Sequence, residues 1–366
     1  MPTDSIRKRV AILGTGFGTQ VTAPALRAEG WEIRALFSRR PERAQEIADK
    51  LDIPHHTADP DDIVARDDID AVVVSTPTST HHAIVLAALA AGKHVLCEKP
   101  FAANLQEGRE MVQAAQDSGV TTMCNFEFRY ADHRLHITRL LQDGLIGAPQ
   151  SAVGTLYFAR PMANAALDWR SQVEMGGGAL NEHGSHYFDA LRLWMGDVVS
   201  ISAHVATHEP ERTDPDTGQQ LAADADDFVA ATLTFASGAV ATVSIVWSDH
   251  VPATGSLHLT GPGGTISHHG PAGLFAPGPV SHTPPLPRNA RAPDAPTLLP
   301  LPHDIEPLPG PAIVAASRRL LRDFERGIHD GTSPAPNFED GLRTQAILDA
   351  ARESARSGQV VRTADI

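Results

Sequence analysis

"VAILGTGFGT", residues 10–19, places the apolar run Val10-Ala11-Ile12-Leu13 directly before the glycine-rich turn Gly14-Thr15-Gly16-Phe17-Gly18-Thr19. A short continuous apolar run closed by glycine reads as a strand covered on both faces, as strands are in a parallel sheet flanked by helices. The glycines permit a tight turn and let backbone amides approach a pyrophosphate at the positive end of the following helix. The spacing departs from the common dinucleotide fingerprint, because Gly18 stands fifth in the run and Thr19 takes the sixth place. A plain glycine turn is the competing reading. What favours the fingerprint is its context, a strand before and a helix after, at the head of a βαβ unit.

The same alternation continues outward from that turn. A helical run near 21–29 is followed by a strand over Glu32–Phe37, a helix from Pro41 to Leu51, a strand over Ala71–Ser75 and a helix near 80–91. A strand over His94–Cys97, a helix over 102–118 and a strand over Val120–Phe126 complete the series. Strand and helix in turn predict a Rossmann-type, doubly wound α/β domain with a parallel sheet over residues 1–126. Beyond it the period changes. A helix over 131–143 ends at Gly144, and alternating segments follow over Ser151–Phe158, Val198–Thr207, Phe228–Phe235 and Ala239–Trp247. Phe235-Ala236-Ser237-Gly238-Ala239 joins two of these as a hairpin turn. Residues 127–366 are therefore expected to form an α+β domain on a large, mostly antiparallel open sheet. Residues 261–311 contain "GPAGLFAPGPVSHTPPLPRNARAPDAP" and show neither period. They read as a surface excursion of irregular or extended backbone. Helices resume over 311–328 and 337–356.

A chain of 366 residues with 42% hydrophobic and 20% charged content is long enough for two domains and ordinary for a globular protein. A formal net charge of −14 argues against nucleic acid or an anionic membrane as partner, since both attract basic surfaces. The expected partner is a small molecule. Cys97 and Cys124 each sit in an apolar stretch, as packed free thiols do, so no disulfide framework is indicated. No apolar run approaches the length of a membrane span. Met-Pro-Thr-Asp-Ser-Ile-Arg-Lys-Arg leads into the first strand without an apolar segment of signal length, which suggests a cytoplasmic protein.

At the end of the second strand a carboxylate would bind both hydroxyls of an NAD ribose. This chain has Ser38-Arg39-Arg40 there. Two guanidinium groups and a hydroxyl suit a 2′-phosphate, which points to NADP, with NAD as the alternative. The fourth apolar strand ends in "LCEKPF", residues 96–101. In an open parallel sheet ligands lie beyond the carboxyl ends of the strands, so Glu98 and Lys99 are placed at the cofactor crevice. A lysine beside a nicotinamide and an apolar wall suits proton exchange with a hydroxyl. Pro100 fixes the backbone, and a cis bond is accessible there. A solvated loop pair is the alternative for Glu98 and Lys99.

Gly176-Gly177-Gly178 precedes Ala179-Leu180-Asn181-Glu182-His183-Gly184-Ser185-His186-Tyr187-Phe188-Asp189. On a helix Glu182, Ser185, His186 and Asp189 fall on one stripe, with Leu180, Gly184, Tyr187, Leu191 and Trp194 on the apolar one. From periodicity alone solvation is the better explanation of that polar stripe. Glu182, His183, His186 and Asp189 are all possible zinc ligands, yet the neighbouring motifs already explain the stripe and no metal is expected. His55-His56 and His268-His269 read as surface loop residues.

"TPTSTHHAIVLAALAAGKHVLCEKPF" resembles the signature of the Gfo/Idh/MocA oxidoreductases, named in part for glucose-fructose oxidoreductase and inositol dehydrogenase, with its Pro-polar-x-x-His turn and Glu-Lys-Pro strand end. "DWRSQVEMGGGALNEHGSHYFDALRLWMG" and "FEDGLRTQAILDAARESARSGQVV" continue the match, and the proline-rich excursion falls outside it. The resemblance implies that Gly14, Gly16, Phe17, Gly18, Ser38, Arg39, Arg40, Ser75, Thr76, Pro77, His81, Glu98, Lys99 and Asn125 serve the cofactor. It implies that Lys99 and His186 handle a substrate hydroxyl proton, with Glu182 orienting His186. Glu182 stands where the family usually has aspartate, and Thr78 where it more often has asparagine. Arg129, Trp169, Arg170, His183 and Asp189 become candidate substrate contacts, with a structural salt bridge as the alternative for Arg129 and packing for His183. The implied activity is hydride transfer between NADP or NAD and a carbinol carbon of a sugar, cyclitol or related polyol, in a homodimer or homotetramer paired through the second-domain sheet. A glycoside hydrolase or lyase using transient oxidation, and a non-catalytic NAD(P)-binding protein, are the rival readings.

Overall fold

The computed structural model describes residues 8–159, 168–214, 217–248, 250, 252–286 and 295–366. Met1 to Arg7, part of the stretch on which the cytoplasmic expectation rests, lie outside the described residues. The chain forms two compact units. One comprises Met1–Glu127 and Pro309–Gln345, the other Phe128–Leu308 and Ala346–Ile366.

In the first unit β1 (Arg9–Leu13), β2 (Glu32–Phe37), β3 (His55–Thr57), β4 (Ala71–Val74), β5 (His94–Cys97) and β6 (Thr122–Cys124) form one sheet in the order β3-β2-β1-β4-β5-β6. Every pairing is parallel. The helices α1 (Ala23–Ala28), α2 (Pro41–Lys50), α3 (Pro60–Val64), α4 (His81–Ala90) and α5 (Leu105–Ser118) complete the expected doubly wound pattern. Val10–Leu13, Ala71–Val74 and Val95–Cys97 are almost wholly excluded from water, which is why these strands read as unbroken apolar runs. Local chemistry sets the helix ends. Asn104 caps α5 by accepting from the Glu107 amide at 3.0 Å, and Gly119 ends it at φ +66°. His55 and His56 are not in a loop: they belong to β3, an edge strand that pairs with β2 from Ala35↔His55 to Phe37↔Thr57. Three residues without an apolar period carry no strand signal of their own.

The first unit also contains α8 (Ala312–Asp330), which the sequence reading had placed with everything after residue 126. Its apolar face, Ala315, Ala316, Leu320, Leu321 and Phe324, is buried, Phe324 stacks on Trp31 at 6.1 Å, and Arg318 and Arg322 both bond Glu29 at the end of α1.

Among the described residues the second unit is built on a sheet of nine strands. These are β7 (Ser151–Ala159), β8 (Val198–Ala206), β11 (Phe228–Phe235), β12 (Val240–Ser248), β13 (Thr254–Gly261), β14 (Gly264–Gly270), β15 (Val280–Thr283), β16 (Thr297–Leu299) and β17 (Val361–Arg362); β9 (Glu211–Thr213) and β10 (Gln220–Ala222) pair separately. The order is β16-β15-β14-β13-β7-β12-β11-β8-β17, antiparallel except for β7 with β12. One face packs on α6 (Asp132–Gln142), α7 (Ser185–Met195) and the later turns of α9 (Phe338–Ser357) through Ile137, Tyr187, Leu191, Ile347 and Leu348. The 261–311 segment proves to be part of this sheet, contributing β14, β15 and β16, while residues 287–294 of it lie outside the described residues. Its inward positions are partly glycine. A Cβ on Gly261 would stand 2.4 Å from the Ile146 carbonyl, so alternation is present without a hydrophobic signal.

Candidate active site

In the first unit the candidate cofactor residues follow the carboxyl ends of the parallel strands β1, β2, β4, β5 and β6. Gly14, at φ +124°, leaves β1 so close to β4 that a Cβ would lie 2.0 Å from the Ser75 carbonyl oxygen, a position only glycine can hold. Gly16 is exposed, and a Cβ there would meet nothing within 4 Å, so the turn presents bare backbone outward, as approach to a pyrophosphate requires. Phe17 already has helical torsions, and Gly18 begins a π turn, Gly18–Thr22, that runs into α1. Gly18 donates its amide to Ser75 Oγ at 2.9 Å and packs on Ile12, which explains why glycine is needed at the fifth place.

At the tip of β2, Ser38 is buried and accepts from the Arg40 amide at 3.3 Å, while Arg39 and Arg40 are exposed. Beyond β4, Thr76 and Pro77 lead into a short turn closed by Thr80, and His81 opens α4 fully buried. His81 Nε2 lies 2.9 Å from the Thr76 carbonyl and Nδ1 3.3 Å from that of Phe101. Burial lowers its pKa, so the ring is neutral and steadies the loop by donating to one of these carbonyls.

Beyond β5 the chain runs Glu98, Lys99 and a cis bond to Pro100. Glu98 is buried, and Oε1 accepts from Asn125 Nδ2 at 2.5 Å beside the end of β6. Burial raises its pKa to about 7; the Lys99 ammonium and the Asn125 amide pull it down without offsetting that burial. Lys99 is half-buried at the carboxyl end of the sheet.

The second unit carries the other candidates. Gly176-Gly177-Gly178 threads between Arg170 and Asp226: a Cβ on Gly177 would lie 2.4 Å from the Arg170 carbonyl, and one on Gly178, at φ +105°, 2.2 Å from Asp226 Oδ1. Asp226 Oδ2 accepts from the Leu180 amide at 2.7 Å, capping the helical run. Burial raises the Asp226 pKa to about 6. The run opens with a π turn, Leu180–Gly184, before α7 begins at Ser185. Glu182 Oε2 lies 3.2 Å from Arg170 Nε, and Arg170 in turn stacks over Trp169 and bonds Asp168. His183 accepts from Trp247 Nε1 at 2.7 Å within a wall of Phe158 and Phe275. Asp189 and Arg129 are both buried and form a two-pronged ion pair at 2.8 and 2.5 Å, the salt bridge left open for Arg129. His186 is buried and meets the rings of Phe128 at 4.8 Å and Phe275 at 5.5 Å. Among the described residues no group of three or more His, Cys, Asp or Glu is arranged to hold a metal ion.

Two family models match the chain. Residues 8–126 match an oxidoreductase family with an NAD-binding Rossmann fold, and residues 135–267 match the GFO/IDH/MocA C-terminal domain. The chain belongs to the GFO/IDH/MocA family. Levoglucosan dehydrogenase of Pseudarthrobacter phenanthrenivorans is 28% identical over 94% of this chain and 95% of its own length. D-xylose 1-dehydrogenase (NADP(+)) 2 of Haloferax volcanii is 28% identical over 96% of this chain and 98% of its own. A solved levoglucosan dehydrogenase in complex with NADH and L-sorbose superposes with a TM-score of 0.86 at 26% identity, covering 97% of this chain and 98% of that one.

This GFO/IDH/MocA protein is thus a nicotinamide-dependent oxidoreductase whose first unit carries the NAD-binding Rossmann domain. The glycine turn, with its open outward side, fits such a cofactor. Among the described residues no helix is long and apolar enough to cross a membrane. Asp226, Phe128, Arg134 and Phe275 escaped the sequence reading. Asp226 had one faint signal, the Asp-Ala-Asp-Asp run 224–227 just before β11, where a cap for a distant helix cannot be recognised.

Proposed function

We propose that this protein is a sugar or cyclitol dehydrogenase that moves a hydride between a nicotinamide dinucleotide, NADP in preference to NAD, and a carbinol carbon of a small polyhydroxylated molecule. The observation that carries the reading is the end of β5. Lys99, half-buried, and Glu98, buried, stand at the carboxyl end of the parallel sheet, on the far side of β4 from the strand that carries the glycine turn. The relatives named for levoglucosan and D-xylose support the substrate class.

The bound nicotinamide supplies the two-electron chemistry at its C4 carbon. The residues of the chain bind, orient and move the proton. Gly14, Gly16, Phe17 and Gly18 hold the pyrophosphate turn, with Ser75, Thr76, Pro77 and His81 behind it. Ser38, Arg39 and Arg40 take the ribose end, and the absence of a carboxylate at that strand tip supports a 2′-phosphate there. Asn125 and Glu98 line the crevice. Lys99 Nζ and the His186 imidazole exchange the hydroxyl proton, Glu182 and Arg170 shape the polar wall of the glycine-run helix, and Trp169 adds an aromatic surface to it. Val153, Tyr157 and Val240 are exposed on the uncovered face of the nine-stranded sheet, which supports self-association there into a dimer or tetramer.

The test is turnover of levoglucosan and D-xylose followed at 340 nm with NADP and with NAD. Lys99→Met and His186→Ala should each lower kcat by roughly 10²–10⁴ while dinucleotide affinity holds, and wild type should show the lower KM for NADP. Wild-type turnover in both variants would remove these residues from the reaction.

A further inference from the structure

The second unit holds a buried group that the proposed reaction does not use: His133, Arg134 and His268, gathered under the turn Gly273–Phe275. His133 and His268 stack in parallel at 4.5 Å. His133 Nε2 meets the Leu274 carbonyl at 3.0 Å, Arg134 Nε donates to the same oxygen at 3.1 Å, and His268 Nε2 meets the Gly273 carbonyl at 3.2 Å. Burial, with His268 and Arg134 close by, pushes the His133 pKa down to about 3, so near neutrality it is an uncharged ring donating one N–H. Gly273 sits at φ +54°, where a Cβ would stand 2.7 Å from the Tyr187 hydroxyl. Two successive carbonyls of a turn in a proline- and glycine-rich stretch are thus fastened by three buried side chains. A turn that only crossed the surface would leave those carbonyls to water.

The side chain this turn delivers is Phe275. Its ring lies 5.5 Å from His186 at 73° and 4.9 Å from Phe128 at 88°, while Phe128 meets His186 at 4.8 Å and 88°. The three rings are mutually edge-to-face, and the Arg134 guanidinium covers both phenylalanines at 5.3 and 5.5 Å. Two near-perpendicular rings packed against it oppose rotation of the imidazole plane. A nitrogen that exchanges a proton with a bound hydroxyl must keep that plane fixed, because small misplacements of a reacting group cost large factors in rate.

We propose that Phe275 is a positioning residue for His186, brought to it by the anchored 273–275 turn. The proposal rests on the assignment of the hydroxyl proton to His186. Its test uses the full-length chain with Phe275→Ala, Phe275→Leu and Phe275→Tyr. The ring resonance of His186, identified by its loss in His186→Ala, is recorded without ligand, and turnover is measured with NADP and whichever of levoglucosan and D-xylose the wild type oxidises. Phe275→Ala should move and broaden the His186 resonance and lower kcat by about 10- to 100-fold with KM and dinucleotide affinity unchanged. Phe275→Tyr, which keeps the ring, should restore most of both, and Phe275→Leu should not. An unmoved resonance with wild-type kcat in Phe275→Ala overturns the proposal. If that variant does not fold, Phe275→Leu decides by the same two readouts, and if the wild type oxidises neither sugar the resonance decides alone. Full activity in His186→Ala would instead sink the assignment of His186, whereas loss of activity there with a fully active Phe275→Ala sinks only the positioning role.

Discussion

Glu98 carries the clearest electrostatic consequence of the fold, because it is the carboxyl group that ends β5 and it is buried against Asn125. Its folded pKa of about 7 stands above the ordinary value of 4.5. Between those values the folded chain keeps a proton that the unfolded chain has released, so stability is fullest below about pH 4.5 and falls as pH rises to about 7. Glu98→Gln keeps an oxygen for the Asn125 amide and removes the titration. The expected outcome is a Tm advantage of the variant over wild type that grows from pH 5 to pH 8, reaching on the order of 3 kcal/mol in stability; a difference independent of pH would refute the burial argument. Asp226, also raised, is common to both proteins and cancels. Lys99 and Glu98 were legible because a charged pair closing an apolar strand is unusual within six residues. Phe275 was not, because its neighbours His186 and Phe128 lie 89 and 147 positions away and no local pattern links them.

The glycine run and the helix it feeds form the element on which the second set of candidates depends. Gly178 combines a positive φ with the Asp226 carboxylate at the place of its Cβ, whereas Gly238, at φ +84° in the hairpin between β11 and β12, has open space around it. Gly238→Ala should therefore cost only the backbone strain, about 1–2 kcal/mol. Gly178→Ala adds displacement of the Leu180 cap and should cost more than about 3 kcal/mol. Denaturant titrations with unchanged m-values would compare the two, and equal costs would show that the Asp226 contact does not hold the helix start. Elements with a clean period, such as β2, β11 and α2, were readable within a residue or two. The π turns opening the helices at Gly18 and Leu180 were not, since one five-residue turn hides inside a 3.6-residue pattern. The strands β13–β15 were missed for a different reason: Gly255, Gly261 and His268 fill inward positions that alternation normally gives to aliphatic residues. A Cβ on Gly255 would lie 2.5 Å from Gly273, so the close approach that builds the anchored turn also erased the hydrophobic signal.

At the scale of the whole molecule the sequence is not two consecutive domains, since Pro309–Gln345 is part of the unit that begins the chain. An amphipathic helix shows that it covers something but not what, so α8 could not be assigned from its pattern. Its packing shows how much the Rossmann unit depends on it. Without residues 309–345 the Trp31 ring loses Phe324, Glu29 loses two guanidinium partners, and Phe101 loses the ring of Phe338 at 4.7 Å. The edge strand β6 also loses its outer partners, since Thr122 donates its amide to Ser333 Oγ at 2.9 Å and Cys124 donates its own to the Pro336 carbonyl at 2.9 Å. Uncovering several apolar side chains at about 1.5–3 kcal/mol each equals or exceeds the net stability of a typical domain, about 5–15 kcal/mol. A fragment ending at Glu127 should therefore show no cooperative thermal transition and no NADP binding, although it contains the entire fingerprint. The same fragment joined through a flexible linker to residues 309–345 should regain both, as read by calorimetry and by dinucleotide fluorescence. Cooperative melting of the short fragment alone would show that the parallel sheet holds itself together and that α8 is an accessory.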